Sequence, residues 1–120
     1  MKKWALVSDI HIPYHNKRHL SMWLEFIKWW KPDVIDIAGD YDDAPCVSKY
    51  ADGTSKEHTD LIYTYAPLIQ GFLSDIREIV PNAEIALHAG NHEIRIDNYI
   101  SSKAPALQGL ITPEMLWKTD

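Results

Sequence analysis

Hydrophobic positions along the chain alternate between short strand-like runs and longer stretches of helical period. Trp4-Ala5-Leu6-Val7-Ser8 is an apolar run that stops at Asp9, and it predicts a buried strand over 4–8. Val34-Ile35-Asp36-Ile37-Ala38, β-branched at its centre and running into Gly39-Asp40, predicts a second strand over 34–38 that enters a sharp turn. Glu84-Ile85-Ala86-Leu87-His88-Ala89 predicts a third over 84–89, ending at Gly90-Asn91-His92-Glu93. Between the first two, Leu20, Trp23, Leu24, Ile27 and Trp30 recur at helical spacing. They predict a helix over 17–30 with one apolar stripe, capped by Asn16 and ended by Pro32. Between the second and third, Thr59-Asp60 opens a longer pattern in which Leu61, Tyr65, Leu68, Phe72, Ile76 and Ile79 share a face, and Pro67 is expected to kink or break it.

Strand, helix, strand, helix, strand predicts an α/β fold of parallel strands with helices covering the faces of the sheet. Right-handed crossovers bring all three strand-terminal loops to the carboxyl edge, where open α/β sheets bind ligands. Residues 43–58 lack a period and contain Pro45 and Gly53, which predicts an irregular excursion bordering that edge. A further helix is expected over 94–100. Thr112-Pro113-Glu114 reads as a capped helix start, so soon before residue 120 that a truncated domain is expected.

At 120 residues with 46% apolar and 24% charged residues, the composition is that of one globular domain. Lys2-Lys3 and the apolar run after them mimic a signal peptide, but Ser8-Asp9 cuts the run too early, so no secretion signal or membrane span is expected. The single cysteine, Cys46, cannot form an internal disulfide, and a reducing cytoplasm is the expected compartment. A net charge of −5 argues against non-specific affinity for nucleic acid, which rests on Lys and Arg. That argument weakens where acids hold divalent cations, because the local field then inverts.

A polar cluster follows each strand-like run. Asp9 and His11 form D-x-H, and alternate residues of an extended segment face one side, so both can grip one cation. Gly39-Asp40-Tyr41-Asp42-Asp43 is G-D-x-x-D, a turn glycine that lets the backbone approach a ligand, followed by carboxylates. Gly90-Asn91-His92-Glu93 sets an amide oxygen, an imidazole and a carboxylate directly after the third run. Turns and helix caps explain any one of these alone. Their conjunction, in order and each ending an apolar run, gathers oxygen and nitrogen donors at one edge.

In that order the three clusters resemble the first three blocks of the calcineurin-like metallophosphoesterase superfamily, over about residues 4–100. The segment 9–15, with G-N-H-E-x-R over 90–95, resembles a bacteriophage-type or bacterial branch. The resemblance implies the N-terminal half of an αββα sandwich and a centre of two divalent metal ions. It implies that Asp9 and His11 hold the first ion, that Asp40 bridges both, that Asn91 ligates the second, and that His92 is the catalytic residue assisting the leaving group. A hydroxide between the metals then attacks phosphorus in line. Asp43 and Glu93 are expected to orient ligands. Such donors suit Mn, Fe, Zn or Ni, with Mn the expectation, and the substrate is a phosphomonoester or phosphodiester, as a small molecule or within nucleic acid.

Further family histidines, the last in a G-H-x-H block, have no counterpart, since no histidine follows His92. The second ion keeps only Asp40 and Asn91, so the chain alone is expected to hydrolyse phosphoesters weakly or not at all. Two alternatives accompany this reading: a non-catalytic metal-binding module, and a nuclease-like phosphodiesterase that processes DNA. The latter requires a basic groove, which the sequence does not display. His19 and His58 read as solvated, His15 and His88 as structural rather than substrate-binding, and the aromatic residues of the helical stripes as core rather than a base-stacking platform.

Overall fold

A computed structural model describes residues 1–58 and 60–118. The three apolar runs form β1 (Trp4–Val7), β2 (Val34–Ile37) and β3 (Glu84–Leu87), paired parallel in the order β1-β2-β3. Trp4 lies opposite Val34 and Val34 opposite Glu84, while Val7, Ile37 and Leu87 align at the other end. In-register residues share a face. Ala5 and Ile35 are buried with Ile37 on one side, whereas Trp4 and Leu6 on the other are 61% and 64% exposed.

This asymmetry follows from topology. Strands laid down in sequential order by crossovers of one hand carry both connecting helices on the same side. There α1 (Lys17–Trp30) touches α2 (Ala66–Ile79), and α4 (Pro113–Trp117) packs on α2. The parallel sheet with covering helices is thus the observed architecture, with the helices on one face and the face bearing Trp4 and Leu6 open. Ile27, Ile35, Ile37, Ile69, Ile76 and Ile96 have no exposed surface and centre the core.

Local signals set most boundaries. Asn16 Oδ1 accepts from the His19 N–H at 3.0 Å and starts α1, and Lys31 ends it with φ 50°. Of the α1 stripe only Ile27 is fully buried, and Trp29 projects outward, 74% exposed. The second pattern is divided. Asp60 caps a π-helical turn, Leu61–Tyr65, and α2 begins at Ala66. Pro67 stands in the first turn of α2, where its missing N–H costs nothing, so it opens the helix and does not kink it. The buried stripe becomes Tyr65, Ile69, Phe72 and Ile76, with Leu68 left 45% exposed. Thr59, named above as part of the start of this pattern, lies outside the described residues.

The excursion winds into three short 3-10 turns, Pro45–Val47, Lys49–Ala51 and Ser55–His58. Helix α3 (Asn91–Lys103) begins three residues before the expected 94. No helix among the described residues is long and apolar enough to cross a membrane.

Candidate metal centre

Beyond the ends of β1 and β2 the two chains stay zipped together. Asp9 N–H donates to Gly39 O at 3.1 Å, His11 N–H to Asp40 O at 2.9 Å, and Ile12 N–H to Tyr41 O at 2.9 Å. Ile10 and Ile12 enter the core, which turns Asp9 and His11 outward on the same side. The mechanism differs from the extended strand expected of D-x-H. Asp9, His11 and Asp40 are left-handed, with φ 53°, 57° and 53°, a conformation costing an L-residue about 1–2 kcal/mol. Surrounding hydrogen bonds hold that strain where the candidate donors stand.

The β3–α3 turn completes the frame. A Cβ on Gly90 would fall 2.3 Å from Asp40 Oδ1 and 2.7 Å from Asp40 N, and one on Gly39 would meet the Gly90 backbone at 3.0 Å. The close approach that these glycines permit is therefore of one turn to another. Asp40 Oδ1 accepts from the His92 N–H at 2.9 Å and so caps α3 from a neighbouring loop. In return Glu93, without exposed surface, accepts from the N–H groups of Asp40 at 2.8 Å, Asp42 at 2.9 Å and Gly90 at 2.7 Å. Three donors and a helix N-terminus offset the cost of burying this carboxylate.

His11, Asp40 and His92 each bring a ligand atom within 4.8 Å of the others. The imidazoles meet edge to face with centroids 4.5 Å apart. Asp43 lies behind them: its Oδ1 is 3.0 Å from His11 Nδ1 and 3.3 Å from His92 Nδ1, and its carbonyl is 2.9 Å from His92 Nδ1. Acceptors on both Nδ1 atoms assign the protons there and leave both Nε2 lone pairs for a ligand. Asp9 Oδ1 stands 3.9 Å from His11 Nε2 without joining the three-residue group. Asn91 is exposed as the first residue of α3, beside His92. No lysine or arginine pairs with Asp9, Asp40 or Asp43 among the described residues. The His11 imidazole and the Asp40 carboxylate, with the His92 imidazole beside them and no competing cation, fit a divalent metal ion.

Burial, reinforced by Glu93 and Asp43, pushes the Asp42 carboxyl up to about 6 against the opposing Ala44 N–H and Trp117 indole. Burial likewise pushes the Tyr41 phenol up, where its ring meets Trp117 edge to face at 5.0 Å. His88 Nε2 lies 2.8 Å from Asp36 Oδ1 on the open face of the sheet. His15 lines a separate cavity of about 250 Å³ with Asp9 and His19, and the side chain of His58 lies outside the described ones. Arg95 received no role from the sequence, yet its Nη1 donates to Asp43 O at 3.2 Å. The signal was its position three residues after His92, one turn along the same helix face.

Comparison with known proteins agrees with this construction. Gene 54 protein of Mycobacterium phage D29 is 30% identical over 107 residues, which are 88% of this chain and 42% of the phage protein. Gene 54 protein of Mycobacterium phage L5 is 29% identical over the same length. The chain thus spans 42% of the length of these curated relatives. The family model for calcineurin-like phosphoesterases matches residues 2–120. With three parallel strands delivering histidine and aspartate donors to one edge, and with that match across its length, the chain belongs to the calcineurin-like phosphoesterase family.

Proposed function

We propose that the chain builds a divalent-metal centre for hydrolysis of phosphomonoesters or phosphodiesters. The observation that carries this reading is the convergence of two candidate donors, His11 and Asp40, with the His92 imidazole, within 4.8 Å at the carboxyl edge of a parallel sheet. Asp9, His11 and Asp40 are the proposed donors to one ion, and Asp40 and Asn91 to a second, with manganese ahead of iron, zinc or nickel. Such ions supply Lewis acidity at the phosphoryl group and lower the pKa of water. His92 in its doubly protonated form gives the Nε2 proton to the departing ester oxygen. Asp43, 3.3 Å from Nδ1, stabilises the imidazolium that performs this transfer.

Calorimetric titration with Mn²⁺ tests the assignment. His11→Ala and Asp40→Ala are expected to lose most of the binding heat. His92→Ala is expected to keep it and to lower any Mn²⁺-dependent turnover by roughly 10²–10⁴. Unchanged affinity in the first two variants would sink the metal assignment. A second reading, a metal-binding module without turnover, is favoured by the second ion having only Asp40 and Asn91 as proposed donors. Hydrolysis of an aryl phosphodiester by the Mn²⁺-loaded chain separates the two, and weak turnover at most is expected of the chain alone.

A further inference from the structure

Beside the metal centre lies a cavity of about 460 Å³, between the turns after β2 and the outer face of α3. Its volume suits a small organic ligand. Lys49, Arg95 and Lys103 line it together with Tyr50 and Tyr99, against the single carboxylate Asp52. Lys103 pairs with Asp52 at 3.8 Å, whereas Arg95 and Lys49 form no ion pair among the described residues. Unpaired cations gathered in one cavity are notable in a chain of net charge −5, and they point to an anionic occupant. Lys49 and Arg95 are far apart in sequence, so no linear pattern announced the groove.

The cavity joins the metal centre through one carbonyl. Asp43 O accepts from His92 Nδ1 at 2.9 Å and from Arg95 Nη1 at 3.2 Å. From Arg95, one turn beyond His92, the groove follows α3 through Tyr99 to Lys103, about 12 Å at 1.5 Å per residue. Across it, Tyr50 is 75% exposed with Lys49 Nζ 5.0 Å from its ring centre. Guanidinium and ammonium groups recognise phosphate, and exposed aromatic rings stack on bases. We infer that this cavity is the subsite for a nucleotide unit of the substrate. Its sugar-phosphate faces Arg95 and Lys49, its base faces Tyr50 and Tyr99, and the scissile phosphate reaches the metal centre. The inference rests on the hydrolytic reading of that centre and adds the substrate class.

Binding is measured by calorimetry with EDTA present, using AMP, an oligothymidylate and orthophosphate as probes, so that metal and turnover play no part. AMP or the oligothymidylate is expected to bind more tightly than orthophosphate. Lys49→Glu and Arg95→Gln are expected to weaken nucleotide binding roughly tenfold or more, and Tyr99→Ala to weaken AMP without weakening orthophosphate. Lys49 is exposed on a short turn, and circular dichroism confirms that its variant is folded. An oligothymidylate preferred over AMP, with the steeper salt dependence, identifies a nucleotide within a strand; equal affinity identifies a free nucleotide, and both support the subsite. Nucleotide binding absent at millimolar concentration, unchanged by these substitutions, or no tighter than orthophosphate overturns it. Mn²⁺ titration of the same chain keeps the two readings separate: metal binding without nucleotide binding removes only the subsite, and the reverse removes only the metal centre.

Discussion

Asp43 holds two imidazoles at once, through Oδ1 to both Nδ1 atoms and through its carbonyl to His92. Residues that fix the tautomer and ring orientation of a ligand typically tune metal affinity 10- to 100-fold, so Asp43→Ala is expected to weaken Mn²⁺ by about that factor. Asp43→Asn, whose amide oxygen still accepts, should recover part of it, and calorimetry that finds all three chains equal would remove Asp43 from this role. Asp42 makes a different demand. Its folded carboxyl titrates at about 6, above the ordinary 3.8, so the folded chain binds this proton more tightly than the unfolded one. The stability it contributes is full below pH 3.8 and is lost as pH rises to about 6, a change of about 3 kcal/mol. With metal chelated, the urea midpoint of the parent chain should therefore fall more between about pH 4 and pH 7 than that of Asp42→Asn. Parallel pH profiles for the two chains would show that Asp42 does not titrate as described.

Elements meet at this centre by exchanging caps. The β2 loop caps α3 through Asp40, and α3 ties down the β2 loop through Glu93, which leaves no room between Asp40 and Gly90. Gly90→Ala must move backbone as well as a carboxylate, and is expected to destabilise by about 1–3 kcal/mol while weakening Mn²⁺ binding. Gly71 offers the opposite case. It stands exposed within α2 with nothing within 4 Å of an added Cβ, so Gly71→Ala should stabilise by about 0.5–1 kcal/mol through helix propensity alone. Denaturant titration of both variants checks the pair. Equal effects would mean that the Asp40–Gly90 contact does not constrain the fold.

Across the whole molecule, a first bound ion would tie the loop after β1 to the loop after β2, and a second would tie the latter to the start of α3. Those segments come together only in the folded chain, so metal binds it in preference to the unfolded one. Mn²⁺ at 100 times its dissociation constant should stabilise by about 2.7 kcal/mol, read as a higher melting temperature that EDTA reverses. Asp40→Ala should abolish the shift, and a shift that persists in this variant would place the ion elsewhere. The open sheet face bearing Trp4 and Leu6 takes no part in this linkage, since its His88–Asp36 pair lies apart from the three-residue group.

The strands, their parallel direction and the span of α1 were legible because each depends on local period, caps and a general rule of crossover hand. Asn16, Pro32 and the β-branched centre of β2 act within a few residues of themselves. The polar clusters were legible as candidates for the same reason: Asp9, His11, Asp40, Asp43, Asn91, His92 and Glu93 all stand at ends of apolar runs. Where local period competed with packing, the sequence was less informative. Leu68 fits the helical stripe as well as Ile69 does, and only the placement of α2 against the sheet chose between them. The start of α3 was hidden because its cap, Asp40, lies 52 residues before His92. The double contact of Asp43 spans 32 residues to His11, and the cationic cavity joins Lys49 to Arg95 and Lys103 across the sheet edge. The sequence by itself thus determined which elements form and which donors each one carries to its end. The tertiary structure alone decided which donors meet, how their protons are held and which cations gather beside them, because those depend on contacts between distant segments that no local pattern encodes.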